Sequence, residues 1–196
     1  MQQIKGAVLK SRLAFVEQHS GKEGLDRVLA SLPPADQRSL RLVFTSNWYP
    51  FQLGLALDEA IVREIGADDP EFFERLGEAS AEINLSGIHS GYLTSGDPHG
   101  FLAKAPSIYA LYYESGRRVY QATGPNEGIL TTIDAASFSA PDCKTVIGWH
   151  RKALEMCGVP GVRIVEEECR AKGGAVCRYR ISWRANRPSG AQTVIA

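Results

Sequence analysis

Nothing in this sequence is both long and apolar. No hydrophobic run approaches the roughly 20 residues needed to span a bilayer. The opening Met1-Gln2-Gln3-Ile4-Lys5-Gly6 leads straight into a charged amphipathic pattern, without the apolar stretch of a secretory leader. Net charge is missing too, because 22 Lys and Arg residues balance 22 Asp and Glu residues. No basic field therefore calls for nucleic acid or an acidic membrane surface. G-x-S-x-G, P-loop, H-E-x-x-H and dinucleotide fingerprints are absent, and so are an internal repeat and a dividing linker. These absences lead to the expectation of a soluble, cytoplasmic, non-catalytic protein with no membrane span and no nucleic-acid partner. Cysteine is scarce, at four residues. In a reducing compartment grouped cysteines read as metal ligands or inert core rather than disulfides.

What is present is a helical pattern that gives way to strands. With 44% hydrophobic residues among 196, the chain can bury a core without staples. Ala7 to Gln18 has near-helical apolar spacing and ends at Ser20-Gly21. Leu25 to Leu32 forms a second helix stopped by Pro33-Pro34, and Leu40 to Phe44 a third short segment. Trp48-Tyr49-Pro50-Phe51 reads as an aromatic core plug, with Pro50 suited to the first turn of a helix running to Ile65. Asp68-Asp69-Pro70-Glu71 supplies an acidic start for a helix through Ile83. The stretch from Leu85 to Lys104 is glycine-broken and holds His89, Tyr92 and His99.

A helix from Pro106 ends at Ser115-Gly116. Strands follow at Arg117 to Gln121 and Ile129 to Ile133. Pro141 to Cys157 is then a helix whose buried face carries Cys143, Ile147, His150, Leu154 and Cys157, stopped by Gly158. Strands Val162 to Cys169 and Val176 to Trp183 close the chain around a glycine turn. The expected fold is α+β: an N-terminal helical shell packed on a C-terminal antiparallel sheet of about four strands with a crossing helix. Residues 1–183 read as a single domain and 184–196 as a flexible tail.

Chemistry gathers in the last quarter, at Cys143, Glu166-Glu167-Glu168-Cys169 and Cys177. Three thiolates and a carboxylate suit a tetrahedral Zn²⁺, and a full shell leaves no open position for catalysis. Strand parity complicates the fourth ligand. In a regular hairpin centred on Gly173, Cys169 faces Cys177 on the side of Val165, Tyr179 and Trp183. Glu166 then falls on the other side opposite Arg180, and Glu168 opposite Arg178. For Glu166 to ligate, a bulge must separate it from Cys169; Glu167 has the better parity. His150 shares the helix face of Cys143 but lies about 10 Å further along, which makes it a buried or pocket-lining histidine.

The segment Cys143-x4-Gly148, with Glu166-x2-Cys169-x3-Gly173-x3-Cys177, resembles the 4-vinyl reductase domain family, which includes sensor domains for phenols. The resemblance implies structural zinc on Cys143, Glu166, Cys169 and Cys177. The whole chain is similar to a bacterial branch of uncharacterised single-domain proteins, in a superfamily with haem nitric-oxide-binding domains and a Golgi vesicle-tethering subunit. That implies a sensory or regulatory domain for a small hydrophobic or aromatic ligand, its pocket lined by His89, Tyr109, Tyr113 and Trp149. Such a domain would signal through a homodimer or a partner protein. A ligand-free interaction scaffold ranks second. A haem gas sensor ranks last: Tyr113-Glu114-Ser115-Gly116-Arg117 matches the Y-x-S-x-R motif of haem domains, with His89 as candidate iron ligand, but the spacer from His89 to Tyr113 is short and glycine-broken, and haem domains lack the cysteine cluster.

Overall fold

The computed structural model describes residues 2–87 and 89–185. Strand β1 (Gln3–Lys5) leads into helix α1 (Gly6–Ala30). Gly21 interrupts α1 with φ 65° and ψ −176°, at the break expected from Ser20-Gly21. Helix α2 (Pro34–Arg41) starts on its proline. The expected segment from Leu40 to Phe44 does not form as one helix. Only Leu40 is buried within α2, whereas Leu42 and Phe44 are exposed. The aromatic turn is also different from its expectation: Trp48–Pro50 is strand β2, paired antiparallel with β1, and Trp48 lies at the surface under Lys5. Phe51 is the member of that quartet that reaches the core.

Helices α3 (Phe51–Ile65) and α4 (Phe72–Ser86) complete the shell. The glycine-broken stretch holds one 3₁₀ turn at Ser90–Tyr92 and the short helix α5 (Pro98–Leu102), before α6 (Ala105–Tyr112). Strands β3 (Arg117–Gly124) and β4 (Glu127–Ile133) form a hairpin, α7 (Ala140–Met156) crosses, and β5 (Arg163–Glu168) and β6 (Cys177–Ser182) close the fold. The antiparallel sheet has the order β3-β4-β6-β5. The α+β architecture expected from the sequence is the observed one. The expected tail falls mostly on residues 186–196, outside the described residues.

Apolar periodicity places two cores side by side. One fills the space among α1, α3 and α4 around Leu9, Leu57, Ile61 and Leu76. The other lies between α4, α6, α7 and the sheet around Phe101, Leu130, Leu154, Tyr179 and Ile181. Helices α4 and α7 pack at their closest where both have glycine. A Cβ on Gly77 would sit 2.0 Å from the Thr145 carbonyl oxygen, and one on Gly148 would sit 1.9 Å from the Glu74 carbonyl oxygen. Ion pairs from Glu74 and Glu78 to Arg151, at 2.8 and 2.7 Å, run along the same seam.

The β5–β6 hairpin contains the irregularity that strand parity demands. Ile164 faces Ile181 and Val165 faces Arg180, but then Glu166 faces Tyr179 and Glu168 faces Arg178, with a register shift between Glu166 and Glu168. Glu167 is the extra residue. The bulge turns Glu166 to the inner face of Tyr179 and leaves Val165, expected inside, 41% exposed. Ion pairs follow the shifted register: Glu168 meets Arg178 at 2.9 Å, and Glu167, not Glu166, meets Arg180 at 2.6 Å.

Candidate functional site

Two features lie under α7, and Arg118 of β3 borders both of them. The first is a thiol centre. Ser139 caps α7 by accepting from the Asp142 amide, which fixes Cys143 in the first turn. The hairpin brings Cys169 and Cys177 to the same point. All three sulfurs lie within 4.8 Å of one another and all three residues are buried. Cys169 donates to Cys143 at 3.5 Å, and Cys143 donates to Cys177 at 3.7 Å. The hydrogen bond from Cys143 holds the Cys177 thiol down to about 6 against the cost of burial, helped by the Arg170 amide. The thiolate is the form that binds metal, and these hydrogen bonds favour it at Cys177.

Glu166 reaches this centre from the bulge. One of its oxygens accepts from Lys172 at 2.6 Å, and the other, Oε1, is buried without a hydrogen-bond partner. A buried carboxylate oxygen left unpaired is costly unless a cation meets it. Three sulfurs and one unpartnered oxygen make a donor set for a tetrahedral Zn²⁺-class ion. Four anionic ligands on a divalent ion leave two net negative charges, which Lys172, paired with Glu166, offsets in part. Cys157, at the far end of α7, is buried away from the trio.

The second feature is a cavity of about 40 Å³, partly open to solvent and lined by α1, α4, β3, α6 and α7. Tyr109, Tyr113 and Trp149, expected as pocket lining, do line it; His89 does not. His89 packs instead against the rings of Tyr92 and Tyr112, each 6.0 Å away. His150 lines the cavity in its place. Its Nδ1 lies 2.9 Å from the Val146 carbonyl oxygen, an acceptor, so Nδ1 carries the proton. Nε2 then keeps its lone pair for a ligand, and a backbone acceptor of this kind orients metal-binding imidazoles. Burial, with Arg118 nearby, lowers the His150 pKa to about 3, which keeps the ring neutral.

The remaining polar groups of the cavity differ in how well they are served. Arg12 is paired with Asp58 at 2.8 Å and donates to the Leu76 carbonyl at 2.9 Å. Arg118, 7% exposed, donates through Nε to Thr132 at 3.1 Å and lies 4.8 Å over the Tyr109 ring. Among the described residues no carboxylate stands at ion-pair distance from it. The Tyr112 hydroxyl is buried without a partner. The sequence signals for Arg12 and Arg118 were absent: each is one charge in a pattern that otherwise reads as surface.

The Y-x-S-x-R match does not assemble a site. Tyr113 donates to Asp142 at 2.8 Å, Ser115 to Gln2 at 3.2 Å, and Arg117 is exposed beside Asp134 at 3.9 Å. The three side chains take separate partners.

No family model matches the sequence, and no curated protein matches it either. Solved structures do match. The Fe(II) unliganded H-NOX protein from K. algicida shares 17% identity over 96% of this chain and 100% of its own, with a TM-score of 0.71. The H-NOX protein from S. oneidensis in the Fe(II)NO ligation state shares 13% over 92% and 99%, with a TM-score of 0.70. A chain solved for haem redox potential and porphyrin distortion shares 12% over 91% and 99%, with a TM-score of 0.68. At these identities the likeness establishes the fold alone, the one these H-NOX chains share.

These neighbours correct two expectations. The functional ranking puts a zinc-stabilised sensor of a hydrophobic or aromatic molecule first, a scaffold second and haem last; the matched chains described above are H-NOX and haem proteins. The cofactor expectation, structural zinc with haem ranked last, is corrected by the same finding. The ranking failed because it sought the haem donors at His89 and Arg117, which point to other partners, whereas the histidine of the cavity sits on α7.

The donor set of the cavity fits a haem: one neutral imidazole with a free lone pair, one buried guanidinium for an acidic arm, and aromatic walls. The volume sets a condition. Pockets for groups of that size are roughly 300 Å³ or more, so a haem would require the side chains that line this cavity of about 40 Å³ to move apart.

Proposed function

We propose that this chain is a sensor domain of the haem nitric-oxide-binding fold that takes haem in the cavity under α7. The observation that carries the reading is His150, a buried imidazole held neutral, with Nδ1 committed to Val146 and the other nitrogen left to serve a metal. Haem would supply an iron that binds a diatomic gas. His150 would hold that iron, and Arg118 would meet an acidic arm of the macrocycle. Tyr109, Tyr112 and Trp149 would exclude water from its faces. The fold likeness over nearly the whole chain supports the reading. Titrating the purified protein with haemin tests it. A saturable Soret band at one equivalent that His150→Ala shifts or abolishes is the expected result. No band, or an identical band in the variant, would refute it.

A different site carries a second proposal. Cys143, Cys169, Cys177 and Glu166 take a Zn²⁺-class ion that pins the last hairpin to α7. Its support is the convergence of the three sulfurs and the unpartnered Glu166 oxygen.

A further inference from the structure

We infer that the loop of residues 42–48, between α2 and β2, docks this chain on an anionic lipid bilayer. Exposed apolar side chains scattered singly are ordinary on a folded protein, whereas a cluster of them marks a contact surface. Five large hydrophobic side chains are exposed among the described residues, and three of them fall in this loop: Leu42 at 71%, Phe44 at 63% and Trp48 at 37%. The other two, Val119 and Val165, stand apart on the two edge strands of the sheet.

The loop is held rather than loose. Val43 is buried between its two exposed neighbours. The carbonyls of Thr45 and Asn47 accept the first amides of α1, from Ala7 at 3.1 Å and from Gly6 at 2.8 Å. The Phe44 amide donates to the Tyr49 hydroxyl at 2.8 Å, and the Asn47 amide donates to the Phe44 carbonyl at 3.2 Å. These bonds fold the loop back on itself and keep Phe44 and Trp48 on one tight turn. Gly6 is required beneath it, since a Cβ there would stand 2.0 Å from the Phe44 carbonyl oxygen. With its backbone tied in this way, the loop does not fold its own apolar side chains away, and what covers them comes from outside.

Charge selects the partner. The overall balance of zero hides a local excess, because residues 1–16 and 37–57, which meet at this loop, contain no Asp or Glu. They carry Lys5, Lys10, Arg38 and Arg41 besides the buried Arg12. Lys5 lies 4.1 Å over the Trp48 ring. Arg41 precedes Leu42, and the carboxylate it meets, on Asp26, is 3.8 Å away and shared with Lys22. Trp, Phe and Leu beside Lys and Arg suit the bilayer interface, where the apolar side chains enter below the headgroups and the cations meet acidic lipids. A helix of a partner protein calls for a groove. Leu42 and Phe44 are exposed enough to project rather than line one, which fits a fluid surface that yields around them. The contact is peripheral, since no helix of the described residues is long and apolar enough to cross a membrane.

The test mixes the chain with vesicles of pure phosphatidylcholine and with vesicles in which about a third of the lipid is phosphatidylserine. Co-sedimentation should show saturable binding to the acidic vesicles, little to the neutral ones, and loss of binding at high salt. Trp48 emission should shift to the blue on binding, a shift lost in Trp48→Phe while sedimentation persists. Phe44→Ser should lower partition by roughly tenfold, the transfer of one large apolar side chain. Arg41→Gln should lower it by roughly fivefold, the attraction of one cation. Both variants should melt as the wild type does, and Leu42→Ser carries the apolar arm should Phe44→Ser fail to fold. No binding to acidic vesicles, equal binding to both kinds, or unchanged binding in the serine variants would overturn the proposal. Self-association that Phe44→Ser abolishes, in a protein that ignores vesicles, would overturn it in favour of an interface between copies. Haem loading and zinc content enter none of these readouts, so the result stands apart from both site proposals.

Discussion

Gly148 of α7 lies so close to Glu74 of α4 that a Cβ would stand 1.9 Å from the Glu74 carbonyl oxygen. Gly77 makes the reciprocal approach to Thr145. The obstacle in each case is backbone, which cannot rotate away as a side chain would. Gly148→Ala should therefore push α7 off α4, at a cost of about 1–3 kcal/mol or more. For a chain of this length that is about 2–4 °C of melting temperature per kcal/mol. The shift should appear in a thermal melt, and a melt equal to wild type would show that the helices do not approach this closely in solution. Because α7 carries both Cys143 and His150, the same variant should also lower affinity at both sites.

Removing one sulfur tests the thiol centre. Cys169→Ser should lose about one equivalent of bound zinc on metal analysis and melt at a lower temperature, since binding to a site absent from the unfolded chain stabilises the fold. Chelation of the wild type should reproduce the drop. The carboxylates separate cleanly: Glu166→Ala should weaken zinc binding, whereas Glu167→Ala, which loses only the pairing with Arg180, should leave it intact. Equal zinc content in all of these proteins would exclude the site.

His150 gives the haem-free protein a distinct acid limb. Its pKa falls to about 3 in the fold, against about 6.5 in an unfolded chain. Below pH 6.5 the unfolded state binds the extra proton, so stability rises with pH across this window and is lost as pH falls from about 6.5 towards 3. The slope from one such group approaches about 1.4 kcal/mol per pH unit. Denaturant melts of His150→Gln across that range should show a shallower dependence than wild type. An identical dependence would mean that the imidazole is not buried neutral.

Much of this architecture is legible in the residues, because the signals are local. Gly21, Pro34 and Gly158 punctuate helices where the chain needs left-handed or fixed backbone. The alternation Cys177, Tyr179, Ile181 gives the inner face of β6. Even the bulge before Cys169 could be demanded in advance, from the conflict between ligand spacing and strand parity. The interior site was less legible. Whether a lone arginine such as Arg118 points to water or to a cavity depends on which face of β3 the sheet covers, and that is settled by long-range packing. His89 lies in a glycine-broken stretch with no periodicity to orient it, so its direction could not be read either. His150 was placed correctly on the buried face of α7, but its backbone partner and the space beside it arise only when α6 and β3 close over it.

The haem reading is most directly tested by the absorption spectrum of the chain as purified from cells supplied with haem precursors. It predicts a Soret band corresponding to about one haem per chain that moves when nitric oxide is added to the reduced protein. A protein that emerges colourless from such cells, and stays so when haemin is added, would contradict it.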